Sequence, residues 1–202
     1  MLIIIKIRLL DLEKNGEDTS NVGILMMIIA TICFSLISAM VKFLGHLPVM
    51  EIIFFRNIPI MLIVTLMLKN KKISFWGNNK PLLLLRSWLG GFAAITYFYT
   101  IRVMILTDAV TIRQLSPIFI IFLSSIFLGE KIDFKKITIF SIAFLGALLV
   151  VKPGFRLDIY PTAIALLGVI LTAGSHVATR SLRLTDHPIV IVNYYGYSNG
   201  LV

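Results

Sequence analysis

The sequence has little charge and almost no cysteine. Charged residues make up 14% of its 202 residues, and ten of them are acidic against nineteen lysines and arginines. The single cysteine, Cys33, lies in an apolar stretch, so the sequence excludes an intramolecular disulfide and a CxxC metal site. The three histidines, His46, His176 and His187, are scattered and have no cluster of metal-ligating residues around them. The sequence therefore predicts no metal and no cofactor.

Signatures of soluble enzymes and of nucleic-acid-binding proteins are missing as well. No HExxH motif, GxSxG motif or pair of intramembrane aspartates occurs, so a membrane-embedded enzyme is the least favoured function class. The net charge of +9 does not indicate nucleic acid, because the basic residues are dispersed between apolar runs. The first ten residues are apolar except for Lys6 and Arg8, and no small-residue cleavage site follows them. This segment therefore does not match a signal peptide well.

Long apolar runs are what the sequence has in abundance. Apolar residues make up 58% of the chain, and the mean hydropathy is +0.94. A helix needs roughly 20 apolar residues to cross a bilayer. The sequence therefore predicts an all-α polytopic membrane protein. A cytoplasmic segment, 1–21, is expected to precede spans at Val22–Leu44, Val49–Leu68, Pro81–Ile101, Asp108–Gly129, Ile137–Val151 and Tyr160–Thr179, with a seventh starting at Pro188.

The distribution of lysine and arginine predicts the orientation of these spans. With the N-terminus in the cytoplasm, the inner segments hold twelve basic residues and the outer ends hold four. Cytoplasmic loops of membrane proteins carry such an excess of positive charge. We therefore expect a multi-pass protein of the cell (inner) membrane with a cytoplasmic N-terminus.

Three arginines lie inside predicted spans, and an anchoring helix has no use for two of them, Arg56 and Arg113. Arg56 and Arg113 are expected roughly 8 to 12 Å below the outer surface, counted at 1.5 Å per residue. A cation near the bilayer centre costs about 3 kcal/mol on insertion scales, so it faces a partner or a wet cavity. Two guanidinium groups in one layer favour a carboxylate or a phosphate. Gln114 and Pro117 indicate that the fourth span is irregular and faces a cavity.

Structural roles for these polar residues are alternatives to binding. Arg56 is expected to be a structural charge paired with Glu51 or with backbone carbonyls, with a substrate-binding role as the alternative. For Arg113, a structural role and a substrate-binding role both stay open. Tyr97 and Tyr99 are two residues apart on a helix, so one can line a pore while the other meets lipid.

Other charged and titratable residues are expected at the membrane surface or in packing roles. Arg86, near the start of the third span, is expected to snorkel to the cytoplasmic surface. Glu130 and Lys131 are expected in a cytoplasmic loop. His176 is expected to be a packing or interfacial residue, with proton relay as the alternative.

A weak internal repeat is visible at a shift of 140 residues. The shift places Ser35 on Ser175 and Pro48 on Pro188, and it superimposes Phe54 and Phe55 on a pair of tyrosines. Five spans separate the matched positions, so a second copy would be inverted relative to the first. We expect a first repeat at 22–152 and an incomplete second one at 153–202. A complete second unit is expected to need about 90 residues beyond Val202, so we expect the chain to be truncated.

Seven short landmarks occur in a characteristic order. They are Phe54-Phe55-Arg56 after Glu51, Leu85-Arg86 before Gly90-Gly91, Tyr97-Phe98-Tyr99, Thr107-Asp108-Ala109, Leu115-Ser116-Pro117-Ile118-Phe119, Leu128-Gly129-Glu130-Lys131, and Val150-Val151-Lys152-Pro153-Gly154. From about residue 22 to 202 the chain resembles the EamA-type transporters of the drug/metabolite transporter superfamily. The resemblance implies a ten-helix permease of two inverted five-helix repeats, with the substrate bound between them. This chain would then hold the first repeat, helix 6 and the start of helix 7.

The predicted function is secondary transport of a small organic metabolite, with the lipid bilayer as surroundings and no nucleic acid partner. A nucleotide-derived solute such as S-adenosylmethionine is one option that the family offers, and amino acids are another. The alternative is an inactive truncated remnant, or a half-transporter that needs a second chain or a homodimer. The candidate substrate-binding residues, with Glu51 as charge partner, are Arg56, Arg113, Gln114, Tyr97 and Tyr99.

Overall fold

Every regular element of the described chain is an α-helix in the computed structural model, which describes residues 19–45, 47–132, 134–151 and 158–200. The helices are α1 (Thr19–Phe43), α2 (Val49–Asn70), α3 (Lys80–Val103), α4 (Leu106–Arg113), α5 (Ser116–Leu128), α6 (Phe134–Val151), α7 (Ile159–Leu182) and α8 (Pro188–Gly200). The expected all-α fold is confirmed.

Five segments are long and apolar enough to cross a membrane. They are Gly23–Phe43, Val49–Asn70, Lys80–Val103, Leu106–Leu128 and Ile159–Leu182. Helix α6 contains a shorter apolar stretch, Ile137–Gly146. These segments coincide with the predicted spans to within a few residues, and they confirm a polytopic membrane protein.

The fourth span is interrupted between α4 and α5. Pro117 has no backbone N–H, so the carbonyl of Arg113 loses its helical donor. The chain responds with a tight turn, in which Gln114 N donates to the carbonyls of Val110 and Thr111, both at 3.1 Å, and Leu115 N donates to Ile112 O at 3.0 Å. The irregular segment expected from the sequence is confirmed.

Local signals set the ends of several helices. The side chain of Asn79 accepts from the backbone N–H of Leu82 at 3.4 Å and caps α3, which has Pro81 in its first turn. Gly129 ends α5 with φ of 67°, a left-handed conformation that costs glycine little.

The described residues divide into two compact units, one that ends at Leu44 and one that begins at Gly45. The first contains α1, and the second contains α2 to α8. In the second unit α3 is central, because it packs against α7 and α8 and also contacts α2 and α4. Helix α8 packs against both α2 and α3, and α5 packs against α7. Residues from α2, α3 and α8 are thereby brought together.

Two glycines of α3 allow this close approach. A Cβ at Gly91 would overlap the side-chain oxygen of Asn199 on α8. A Cβ at Gly90 would lie 3.0 Å from a ring carbon of Tyr195 and 3.1 Å from Ser175 Oγ. Gly90 and Gly91 therefore lie in the surface of α3 that contacts α7 and α8.

Some sequence predictions fall outside the described residues. They are the segment before Thr19, His46, and Lys152, Pro153 and Gly154 of the last landmark. The expected repeat boundary at 152–153 lies there as well. The inverted repeat stays a prediction.

Candidate functional site

Arg56 on α2 points at aromatic side chains from two other helices. Its Nη2 donates to the hydroxyl of Tyr195 on α8 at 2.9 Å. Its guanidinium carbon lies 5.1 Å from the ring centroid of Phe98 on α3, and Phe98 is 1% exposed. The face of an aromatic ring attracts a cation and partly replaces its lost hydration. Neutral groups therefore hold this cation inside the bundle.

Arg86 on α3 contacts the ring of the same tyrosine. Its guanidinium carbon lies 4.9 Å from the ring centroid of Tyr195, and its Nε donates to Thr179 Oγ1 on α7 at 3.0 Å. The expectation that Arg86 snorkels to the cytoplasmic surface was wrong. The packing of α7 and α8 against α3 encloses this side chain between helices.

Arg113 is the last residue of α4, directly before the interruption. Its guanidinium carbon lies 4.2 Å from the ring centroid of Tyr97 on α3. It is also near enough to Arg56 and to Tyr195 to interact with both electrostatically. Three cations on three helices are thus interleaved with aromatic rings along the interior of the second unit.

The carboxylate expected beside Arg56 is not found there. Glu51 is exposed, and within the described residues no ion pair joins Arg56 or Arg86 to a carboxylate. A separation of five residues rotates two side chains about 140° apart on a helix, which explains why Glu51 and Arg56 do not meet. Arg56 Nε and Arg86 Nη1 are buried and have no hydrogen-bond partner in the described chain.

The remaining candidate residues divide between the site and the surface. Tyr97 is 9% exposed and faces Arg113. Tyr99 has no ring contact with the arginines among the described residues, as the helical period requires for a neighbour two positions away. Gln114 is exposed, so its contribution to the site is the backbone turn described above.

A small cavity separates Arg113 and Tyr97 from α7. Its volume is about 10 Å³, and small or hydroxyl-bearing residues form most of its wall. The lining residues are Tyr97, Thr100, Ala109, Arg113, Ala165, Gly168, Val169 and Thr172. This volume suits about one water molecule, whereas sites for organic ligands occupy about 300 to 1,000 Å³. The site is closed in this conformation, and α3 and α7 would have to separate to admit a solute.

A larger open pocket of about 560 Å³ lies elsewhere in the second unit. Aromatic residues dominate its wall, and none of the three arginines lines it. The lining residues are Phe75, Trp76, Leu84, Asn193, Tyr194, Tyr197 and Ser198. The described residues contain no group of three histidine, cysteine, aspartate or glutamate side chains that could hold a metal.

Sequence reasoning missed Tyr195, Thr179 and Phe98 as members of the site. The shift of 140 residues superimposes Tyr195 on Phe55, next to Arg56, which marks the position without indicating its contacts. Glu130 lies in the loop after α5. Its Oε2 forms an ion pair of 2.7 Å with Nη1 of Arg180 at the end of α7.

Comparisons with known proteins agree with this architecture. Residues 21–152 match the model of the EamA-like transporter family. The pseudopaline exporter CntI of Pseudomonas aeruginosa is 34% identical over 181 residues, which cover 88% of this chain and 63% of the exporter. An uncharacterized transporter of Helicobacter pylori is 28% identical over 173 residues, which cover 83% of this chain and 58% of that protein.

A mammalian relative is more distant. Solute carrier family 35 member G1 of Mus musculus is 31% identical over 146 residues, which cover 70% of this chain and 39% of the carrier. The chain therefore spans less than two thirds of the length of these relatives. No solved structure matches the chain. Since the family model covers most of the sequence and the relatives are transporters, the chain belongs to the EamA-like transporter family.

Proposed function

We propose that this protein is a secondary transporter of small organic anions and that Arg56, Arg113 and Tyr97 contact the transported solute. Membership of a transporter family supports transport as such. The preference for an anion is argued from the charges of the site. Guanidinium groups present planar pairs of donors that match a carboxylate or a phosphate.

The observation that carries the proposal is the partner set of Arg56. Its hydrogen-bond acceptor is the phenol of Tyr195, and its Nε is buried with no partner in the described chain. A structural cation is normally balanced by a carboxylate, because an unbalanced charge in low dielectric is costly. A transported anion would supply the missing negative charge during each cycle.

Closure of the small cavity fits a protein that exposes its site alternately to either side. Gly168 of α7 lies where a Cβ would be 2.5 Å from Thr96 Oγ1 of α3, so the two helices are in tight contact. The interruption at Gln114 and Leu115 gives the fourth span a joint next to Arg113. Movement at this joint would let α4 and α7 part around a solute.

The charge of the site also ranks substrate classes. Di- and tricarboxylates and phosphorylated metabolites complement two arginines best. S-adenosylmethionine has one carboxylate but also a sulfonium and an ammonium group, which the arginines would repel. Export, which the name of the Pseudomonas relative states for that protein, is the direction that we propose.

Uptake into proteoliposomes tests the proposal. A panel of radiolabelled carboxylates, sugar phosphates, amino acids and S-adenosylmethionine would be offered to the purified protein. We expect uptake of an anionic member, and we expect Arg113→Gln and Arg56→Gln to reduce it by tenfold or more, since a hydrogen bond to a charged group contributes about 1.5 to 3 kcal/mol. Arg183→Gln, at the exposed end of α7, is the matched control and should leave uptake unchanged.

Two results would contradict the proposal. Saturable uptake of cations alone would exclude the anion preference. Unchanged anion uptake by both arginine variants would return these residues to a structural role.

The activity is proposed for the whole protein, in which a second half-transporter chain or a second copy of this chain would supply further parts of the binding site. Native mass spectrometry in nanodiscs would detect either partner, and an active monomer would reject both.

The location that we propose is the inner membrane, with the N-terminus in the cytoplasm. In a Cys33→Ala background, a cysteine at Ser74, in the α2–α3 loop, should react with impermeant maleimide only from the cytoplasmic side. A cysteine at Leu47, before α2, should react only from the outer side. The reversed pattern would invert the orientation.

A further inference from the structure

Arg86 has the chemistry of a binding residue in a place where the proposed solute path needs one. It lies six residues after Lys80, the first residue of α3, so its Cα is roughly 9 Å along the helix. Arg56 lies seven residues after the first residue of α2, and α2 and α3 run in opposite directions because a short loop joins them. The two arginines therefore approach the middle of the bundle from its two ends.

Tyr195 stands between these arginines and contacts both. Its hydroxyl accepts from Arg56 Nη2 at 2.9 Å, and its ring lies 4.9 Å from the guanidinium carbon of Arg86. The ring can occupy this position because Gly90 offers no side chain there. The side chain of Tyr195 thus contacts both guanidinium groups at once.

The surroundings of Arg86 leave part of its hydrogen-bonding capacity unused. Its Nε donates to Thr179 Oγ1 at 3.0 Å, and the Thr179 hydroxyl is itself held by the carbonyl of Ser175 at 2.7 Å. Arg86 Nη1 is buried with no partner in the described part of the chain. A guanidinium fixed at Nε with a free terminal nitrogen is pre-oriented to bind an oxyanion from its other edge.

Contacts of Tyr195 with Arg56 are weaker than those that an oxyanion would make. The phenol offers Arg56 one uncharged acceptor atom, whereas a carboxylate or phosphate adds an opposite charge and often accepts paired hydrogen bonds. An anion arriving at either arginine would therefore displace Tyr195 from it. Displacement from Arg56 frees the ring, and movement of the ring uncovers Arg86.

We propose that Arg86 is a second anion-binding position on the solute path and that Tyr195 passes the anion between Arg86 and Arg56. The solute would be a carboxylate or a phosphate ester. This inference rests on the proposed function, since it assumes that anions cross the protein. It adds a residue, a second position and a side chain that links the two positions.

Labelling with phenylglyoxal, which reacts with accessible guanidinium groups, tests the inference without a transport readout. The wild-type protein in proteoliposomes is labelled with and without citrate or inorganic phosphate, and peptide mass spectrometry gives the rate at each arginine. We expect the anion to slow labelling of Arg86 and Arg56 several-fold. Arg183, exposed at the end of α7, is the internal control and should be unaffected.

Two variants separate the roles of the hydroxyl and of the ring of Tyr195. Tyr195→Phe removes the acceptor for Arg56 and should speed labelling of Arg56, while Arg86 keeps its ring cover and its rate. Tyr195→Ala should speed labelling of both arginines. Equal effects of both variants on Arg86 would reject the covering role of the ring.

The wild-type result alone is sufficient to overturn the inference, even where a variant fails to fold. Protection of Arg56 and Arg113 without protection of Arg86 would remove the second position and leave the proposed function intact. An Arg86 that is never labelled would also remove the second position, because an anion must reach Arg86 through water. If neither citrate nor inorganic phosphate protects any of the three arginines, the result would instead count against the proposed function.

Discussion

Arg113 and Tyr97 form a stacked pair between α4 and α3, with the guanidinium carbon 4.2 Å from the ring centroid. Tyr97 is nearly buried and lines the small cavity together with Arg113. The pair joins the interrupted fourth span to the central helix of the second unit. It therefore stabilises the contact between α4 and α3 and places Arg113 in the wall of the cavity.

Replacement of Tyr97 tests the stacking. Tyr97→Leu removes the ring and should destabilise the protein by about 1 to 2 kcal/mol, because cation–π contacts contribute that much when desolvated. Tyr97→Phe keeps a ring and should retain most of this stability. Thermal unfolding in detergent, followed by circular dichroism, gives the comparison. Equal melting temperatures for the two variants would show that the ring face does not stabilise Arg113.

A side chain at Gly91 should destabilise the contact of α3 with α8. In Gly91→Ala the new methyl group overlaps Asn199 Oδ1, and Asn199 Nδ2 donates to the carbonyls of Ser87 at 3.2 Å and Tyr195 at 2.9 Å. Displacing the amide should cost about 1 kcal/mol or more.

Gly146→Ala on α6 is the matched control, because a Cβ there has no atom within 4 Å. It should stabilise the helix by about 0.5 to 1 kcal/mol, since alanine loses less backbone entropy than glycine. Melting temperatures that fall for Gly91→Ala and rise for Gly146→Ala would support the close contact of α3 with α8. A neutral Gly91→Ala would show that Asn199 moves aside at no cost.

Asp186 connects the loop before α3 with the loop before α8. It is 7% exposed, and its carboxylate accepts from the backbone N–H groups of Asn78 at 2.5 Å and Asn79 at 3.3 Å. Asp186→Asn weakens the charge-assisted acceptor and should cost about 1 to 3 kcal/mol. Proteolysis within the α2–α3 loop should accelerate in parallel with the loss of stability.

Asp158→Asn is the control for this replacement, because Asp158 is exposed and caps α7 without a side-chain hydrogen bond. Its effect should be within about 0.5 kcal/mol of zero. A loss as large as that of Asp186→Asn would point to net charge rather than to the buried carboxylate.

His187 should make the start of α8 sensitive to acid. Partial burial and, to a smaller extent, nearby Lys71 lower the pKa of His187 below its usual value. His187 therefore binds a proton less tightly in the folded protein than in the unfolded chain. The contribution of His187 to the free energy of unfolding is fully present at neutral pH, and it is lost as the pH drops below about 6.5. Protonation would also remove Nδ1 as acceptor for the backbone N–H of Ile189, at 3.3 Å.

Unfolding temperatures measured from about pH 7.5 down to about pH 5.5 would reveal this dependence. His187→Gln cannot take up a proton and should flatten that part of the curve. A wild-type protein that gains stability on acidification would show that the pKa of His187 is raised instead.

The membrane-spanning helices could be predicted from composition because the signal is local. Runs of about 20 apolar residues and the prolines and glycines between them fix the helices, whatever their neighbours are. The interruption at Gln114 and Leu115 was likewise predictable, because the missing N–H of Pro117 acts within one turn. The partner of Arg56 was not, since Glu51 is close in the sequence but lies on a different face of α2.

The sequence by itself determined that arginines would lie inside a bundle of apolar helices. Only the tertiary structure decided which groups these arginines meet. The hydrogen bond from Arg56 to Tyr195 joins residues 139 positions apart, and the cover of Arg86 depends on the packing of α7 and α8 against α3. The physical reason is that a helix forms from bonds within four residues, whereas the neighbour of a buried charge is set by which helix faces pack together.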